Sequence, residues 1–291
     1  MNAEPRRIDD CTASGRAGTG PLFGVGPIGG RVVAERVAVV AVGGHESANG
    51  AALPGVFGPE VTSAACGRQL RRAVSAVLRA GADRVCVVPI TLGRDTGLVA
   101  DAARTLLALP AGERARVLLS RPFAGTEQLT GWLCAAAARV PARAALLVAA
   151  PAGDAHEDAE LYRIARLVWQ HGPPRIVEVA LIGGDPDPGR ALERCRLLGA
   201  ARTVVLPASF VLPAVPGVAP LLSRPVAAGV LAARVGSAVE RLRVHGDDGL
   251  AVIGANAPLP AHPDGPIPDR SRRPVPTRGR EFVPTSAFPV A

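Results

Sequence analysis

His45 follows an apolar run directly, in VVAVGGHESANG (39–50). The two preceding glycines let the chain turn sharply, and a neutral ring nitrogen there could be offered to a divalent metal. The alternative is a loop histidine packed on its neighbours. One imidazole holds a metal poorly, because a catalytic centre usually has about three protein ligands and an open position. Glu46, Glu60 and Asp95 are the carboxylates that a folded-back loop could add. Arg94 and Arg121 each follow an apolar run, and guanidinium forks at such ends suit carboxylate or phosphate groups. Ordinary solvated arginines are the alternative, as they are for Arg68, Arg71 and Arg72 on a helix whose core face is Leu70, Val74 and Val77. His156, His171 and His245 read as solvated.

These side chains need a scaffold, and a repeat supplies it. GADRVCVVP (81–89) and GAARTVVLP (199–207) agree at five of nine positions, each after an Arg- and Leu-bearing helical pattern. In each copy the Gly ends a helix, a short apolar run forms a buried parallel strand, and the Pro stops it. Each copy opens with an apolar strand, VAVVAVGG (37–44) and AALLVAAPAG (144–153). The second continues through a helix over 157–170 and a strand over 175–182. Residues 46–63 of the first are rich in Gly, Pro and Ser, so the first half is expected to be shortened by a βα element.

The fold class is therefore α/β, with two similar parallel-sheet lobes and a cleft between them. The expected organisation is a disordered N-terminus over 1–30, a first lobe over 31–142, a second over 143–257, and a disordered Pro- and Arg-rich tail over 258–291. In such sheets ligands lie beyond the carboxyl ends of the strands.

Composition narrows the function. The chain has 291 residues, 48% hydrophobic but 3% aromatic, so Ala, Val and Leu must build its cores and a base-stacking platform is not expected. The net charge is +8 and every basic residue is Arg. Five dispersed cysteines without C-x-x-C indicate neither a disulfide framework nor a zinc ribbon, and a reducing cytoplasm is expected. No cysteine follows Cys195, so no iron–sulfur cluster is expected. Prolines interrupt the most apolar stretch, 204–222, and the N-terminus lacks a signal-like apolar region, so neither a membrane span nor secretion is expected. GVGPIGG (24–30) mimics a nucleotide fingerprint without a strand before it, so no nucleotide is expected. The tail arginines come without a nucleic-acid-binding motif.

The stretch 37–217 resembles the class II, ATP-independent sirohydrochlorin chelatases, which insert cobalt or iron in cobalamin and sirohaem synthesis. The residues that carry the resemblance are Gly44-His45 followed by Ser47, the unit ending at Pro89, Asp101, and GDAHEDAELYRIARLVWQ with GAARTVVLP. It implies insertion of Co²⁺ or Fe²⁺, as substrate, into a tetrapyrrole with eight carboxylates. His45 would hold the metal and serve catalysis, with Ser47, Arg94 and Arg121 at the substrate. The family's second histidine and its glutamate fall on Gly97 and Ala64. A non-catalytic tetrapyrrole- or metal-delivery protein is the alternative, and a homo-oligomer could complete the site from a second copy.

Overall fold

The computed structural model describes residues 35–250. The expected disordered ends, Cys11 and the tail arginines lie outside the described residues. Strand β1 (Val37–Gly43) leads into a single turn of 3-10 helix at His45–Ser47, then α1 (Leu53–Phe57), β2 (Thr62–Ala65), α2 (Arg68–Arg79) and β3 (Arg84–Ile90). After these come α3 (Leu98–Leu107), α4 (Ala111–Arg114), β4 (Val117–Leu119) and α5 (Thr126–Ala137). The second half holds β5 (Ala145–Pro151), α6 (Ala155–His171), β6 (Val177–Ile182), α7 (Pro188–Leu197), β7 (Thr203–Pro207) and α8 (Arg224–His245).

The strands form two wholly parallel sheets, ordered β2-β1-β3-β4 and β6-β5-β7. The order β2-β1-β3 matches β6-β5-β7, as the repeat requires. Its two glycines, Gly81 and Gly199, have φ of 95° and 89°, the left-handed region in which a helix can end without a Cβ penalty.

One expectation is corrected. The first half has not lost a βα element, because residues 46–63 contain α1 and the start of β2, and its sheet has four strands against three. Pro54 occupies the first turn of α1, where its missing N–H costs nothing, while Leu53 and Phe57 are buried one turn apart. Strand β2 then pairs with β1 from Val40↔Thr62 to Gly43↔Ala65.

Alternation along the strands divides the core. Val40, Val42, Val85 and Val87 pack under α2 and α3, against Leu70, Val74, Leu98 and Leu106. Val39, Ala41, Cys86 and Val88 face the other way, into a cluster that also takes Leu146, Val148 and Ala150 of β5. One apolar core therefore joins both sheets. Phe57, Phe123 and Phe210 meet within it, with centroids 5.7 Å apart for the first pair and 5.6 Å for the last. Rings thus contribute locally despite their scarcity.

Helix α8 crosses back from the second half to the first, where Arg234 Nε donates to Phe123 O at 3.0 Å and Arg241 Nη2 to Leu119 O at 2.6 Å. Arg68, Arg71 and Arg72 lie exposed, as expected of a solvated helix face. Among the described residues no helix is long and apolar enough to cross a membrane.

Candidate metal centre

The carboxyl ends of β1, β3 and β5 converge, and their loops carry the polar groups. At the end of β1, Gly44 starts the turn that lifts His45 out of the sheet. Ser47 is buried and holds this turn, donating to Gly44 O at 3.1 Å and accepting from Gly50 N at 3.2 Å. Ala48 and Asn49 follow with φ of 50° and 54°. For alanine that is a strained conformation, kept because the surrounding hydrogen bonds over-determine it.

His45 Nδ1 lies 3.4 Å from Asp95 Oδ2 and 3.5 Å from Glu157 Oε1. Each carboxylate spends its other oxygen on a helix start. Asp95 Oδ1 accepts from Leu98 N at 3.0 Å at the head of α3. Glu157 Oε2 accepts from Asp154 N at 2.8 Å, and Asp154 Oδ1 accepts from Glu157 N at 2.8 Å, a reciprocal capping box at the head of α6. The backbone thus orients both carboxylates, and their remaining oxygens face the same imidazole nitrogen.

These three side chains could hold a metal ion, their ligand atoms all lying within 4.8 Å of one another. In a tetrahedral site with bonds of about 2.0–2.2 Å, ligand atoms are about 3.3–3.6 Å apart. The two distances to His45 Nδ1 fall in that range. One nitrogen and two carboxylate oxygens suit a first-row divalent ion and leave room for another ligand.

Electrostatics agree with this arrangement. Burial pulls the His45 pKa down, but the Asp95 hydrogen bond and the charges of Glu157, Glu46 and Asp95 prevail and raise it above the usual 6.5. Burial pushes Asp95 up, yet the His45 hydrogen bond and charge, with backbone N–H groups, hold it below the ordinary carboxylate value. Both shifts favour a positive charge on the imidazole side and a negative charge on the carboxylate side of the pair.

Glu46 lies behind the site, fully buried, its Oε2 accepting from the Thr91 hydroxyl and from Leu92 N at 2.9 Å. Burial raises its pKa against those hydrogen bonds. It is not among the three converging residues. Glu46 Oε1, His45 Nε2 and Arg94 Nη1 are buried without a hydrogen-bond partner, so the inner wall of the site is polar and unsaturated.

The other expected residues fall in different places. Arg94 does not face an open crevice. Its side chain is completely buried, with Nε donating to Glu157 O at 3.1 Å and Nη2 to Pro151 O at 3.2 Å. Those acceptors arrive from the second half, and the carboxylate that Arg94 reaches is the protein's own Asp158, at 3.4 Å, where the sequence suggests a substrate carboxylate. Arg121 is exposed after β4, while His156, His171 and His245 are exposed and outside the site. Gly97 begins α3, with nothing within 4 Å of where its Cβ would lie. Ala64 is buried in β2.

Sequence reasoning found His45 and considered Asp95, but expected no ligand from the second half and so missed Glu157. The available signal was Asp154-x-x-Glu157 next to a strand end, a capping box placed where ligands gather.

No protein-family model and no curated protein matches the chain. A solved structure to which it is similar is DR2241 of Deinococcus radiodurans, described as a multi-domain protein with structural similarity to chelatases and two additional novel domains. The TM-score is 0.36 at 22% identity, over 72% of this chain and 48% of that protein. This chain therefore spans about half the length of that protein.

Proposed function

We propose that the protein is a chelatase that takes Co²⁺ or Fe²⁺ as substrate at His45, Asp95 and Glu157 and inserts it into a polycarboxylate tetrapyrrole of the sirohydrochlorin type. The observation that carries the metal reading is the spacing of two carboxylate oxygens, 3.4 and 3.5 Å from His45 Nδ1, at strand ends of both halves. The tetrapyrrole reading rests on the sequence resemblance around Gly44-His45 and the second-half run. The three candidate ligands lie on one chain, which supports a site assembled without a second copy.

Insertion exchanges one dication for two pyrrole protons. As the metal passes to the macrocycle nitrogens, His45, Asp95 and Glu157 regain their lone pairs and can accept those protons. No separate base is then required. Exposed Arg121 is the proposed contact for a peripheral carboxylate, while Ser47 acts through the turn that presents His45.

A second reading is metal delivery without insertion. It is favoured by Gly97, which leaves the second imidazole of the resembling family without a counterpart. Anaerobic mixing of the protein with sirohydrochlorin and Co²⁺, followed by absorbance, separates the two. Acceleration over the protein-free rate that disappears in His45→Ala supports insertion. Co²⁺ binding without acceleration selects delivery, and absence of Co²⁺ binding refutes both.

A further inference from the structure

We infer that Arg94 is the positioning residue of the metal centre, a clamp that carries Glu157 from the second half onto the His45–Asp95 pair of the first. The inference rests on the metal reading above and adds to it how the ligand set is assembled.

Two of the converging residues, His45 and Asp95, belong to the first half. Glu157 alone comes from the second, and its oxygen must lie within a few tenths of an ångström of its place to bind. The clamp grips that residue directly, since Arg94 Nε donates to the carbonyl of Glu157 itself. Its Nη2 reaches Pro151 O, at the end of β5, and Asp158 Oδ1 at 3.4 Å. Asp158 Oδ1 in turn accepts from Gly153 N at 2.9 Å. One guanidinium thus fixes the whole β5–α6 turn that holds Glu157.

Clamp and ligand are also consecutive on the first-half side. Arg94 and Asp95 leave β3 on one loop, so a movement of that loop shifts the Asp95 ligand and the grip on Glu157 together. A planar fork is required, because Nε and Nη2 reach acceptors on different segments at once. A lysine ammonium, with its donors on one atom, cannot reproduce that geometry. Complete burial of Arg94 further separates it from an arginine that binds a diffusing substrate.

The test is Co²⁺ titration of the full chain and of Arg94→Lys, Glu157→Gln and the double variant, reading dissociation constants and the visible d–d absorption of bound Co²⁺. Arg94→Lys should weaken binding by about 10–100-fold, the usual cost of losing support behind a metal ligand. Its spectrum should shift in the same direction as that of Glu157→Gln. In the Glu157→Gln background the same change should cost less than about twofold, since the ligand it positions is already gone. Arg94→Lys affinity within about twofold of the unmodified protein, or costs that simply add, overturns the clamp. A purely structural arginine would lower thermal stability without moving the spectrum toward that of Glu157→Gln. Should Arg94→Lys not fold, Asp158→Asn loosens the same turn from its other end. It should weaken Co²⁺ binding with the same spectral shift, and an unchanged constant and spectrum overturn the inference. Failure of the unmodified protein to bind Co²⁺ refutes the metal reading, whereas normal binding in Arg94→Lys refutes the clamp alone.

Discussion

Replacing Gly44 by alanine puts a Cβ 1.8 Å from Asp95 Oδ2 and 3.0 Å from its Cγ. The backbone does not object, since φ −115° and ψ −151° are extended values open to any residue. The atom that must yield is the end of a side chain. To reach an ordinary 3.4 Å contact, Asp95 Oδ2 has to retreat by about 1.6 Å, roughly three times the tolerance of a preorganised site. That retreat takes Asp95 out of the ligand set and strains its 3.0 Å bond from Leu98 N.

Folding and metal binding should then respond differently. Losing the Asp95 cap costs about 1 kcal/mol, partly offset by the smaller unfolded-state entropy of alanine, about 0.4–1 kcal/mol. The melting temperature should fall by no more than about 4 °C. Co²⁺ affinity should drop by at least about tenfold, because His45 and Glu157 alone leave the ion with two protein ligands. Calorimetric titration and thermal unfolding on the same preparation measure both. Gly97→Ala is the control, with nothing within 4 Å of its Cβ and φ −78°, ψ −25° already helical. It should retain affinity and gain up to about 1 kcal/mol of stability. A Gly44→Ala protein that binds Co²⁺ within about twofold of the unmodified chain would show that Asp95 is not a ligand.

Two further outcomes follow from the same geometry. Co²⁺ at a hundredfold excess over its dissociation constant should stabilise the protein by about 2.7 kcal/mol, raising the melting temperature by roughly 5–11 °C. Glu157→Gln should remove most of that rise, and an unchanged rise would mean that the second half holds no ligand. The pH dependence has a definite sign. Raised His45 contributes stability that is full below its ordinary 6.5 and fades as pH climbs through its folded value. Lowered Asp95 contributes above its ordinary 3.8 and loses that contribution as pH falls through its folded value. Metal-free stability from this pair is therefore greatest in mildly acidic solution, while Co²⁺, which must displace the His45 proton, binds more weakly there. Calorimetric affinities that do not change between about pH 5 and 8 would exclude that displacement.

The fold was legible wherever a local signal agreed with its tertiary use. Strands β3 and β7 are apolar runs bounded by Gly and Pro, and they lie as parallel neighbours of β1 and β5. Helix α2 buries Leu70, Val74 and Leu78 at four-residue spacing. Residues 46–63 resisted reading because their signals are short and mixed. Two turns' worth of Gly and Pro conceal a five-residue helix, and Thr62–Ala65 becomes a strand through its pairing with β1. Composition could not show that α8 returns to the first half, since its contacts with Phe123 and Leu119 span 111 and 122 residues.

The site was legible in its imidazole and opaque in its assembly. Arg94 looks like a solvated or substrate-facing arginine until acceptors 57 to 64 residues away close around it. Glu157 has a complete local explanation as a capping-box residue, and that explanation accounts for one of its oxygens. The other oxygen acquires its role from a contact 112 positions earlier in the chain, which periodicity cannot reveal. The consequence reaches the chemistry. Where the resembling family offers a second imidazole, this chain offers Asp95 and Glu157, so a neutral His45 and two carboxylates balance the charge of a divalent ion. On the proposed reading, such a set would retain a divalent ion until something neutralised the oxygens, and a tetrapyrrole giving up two N–H protons would do so at the moment its own nitrogens became ligands.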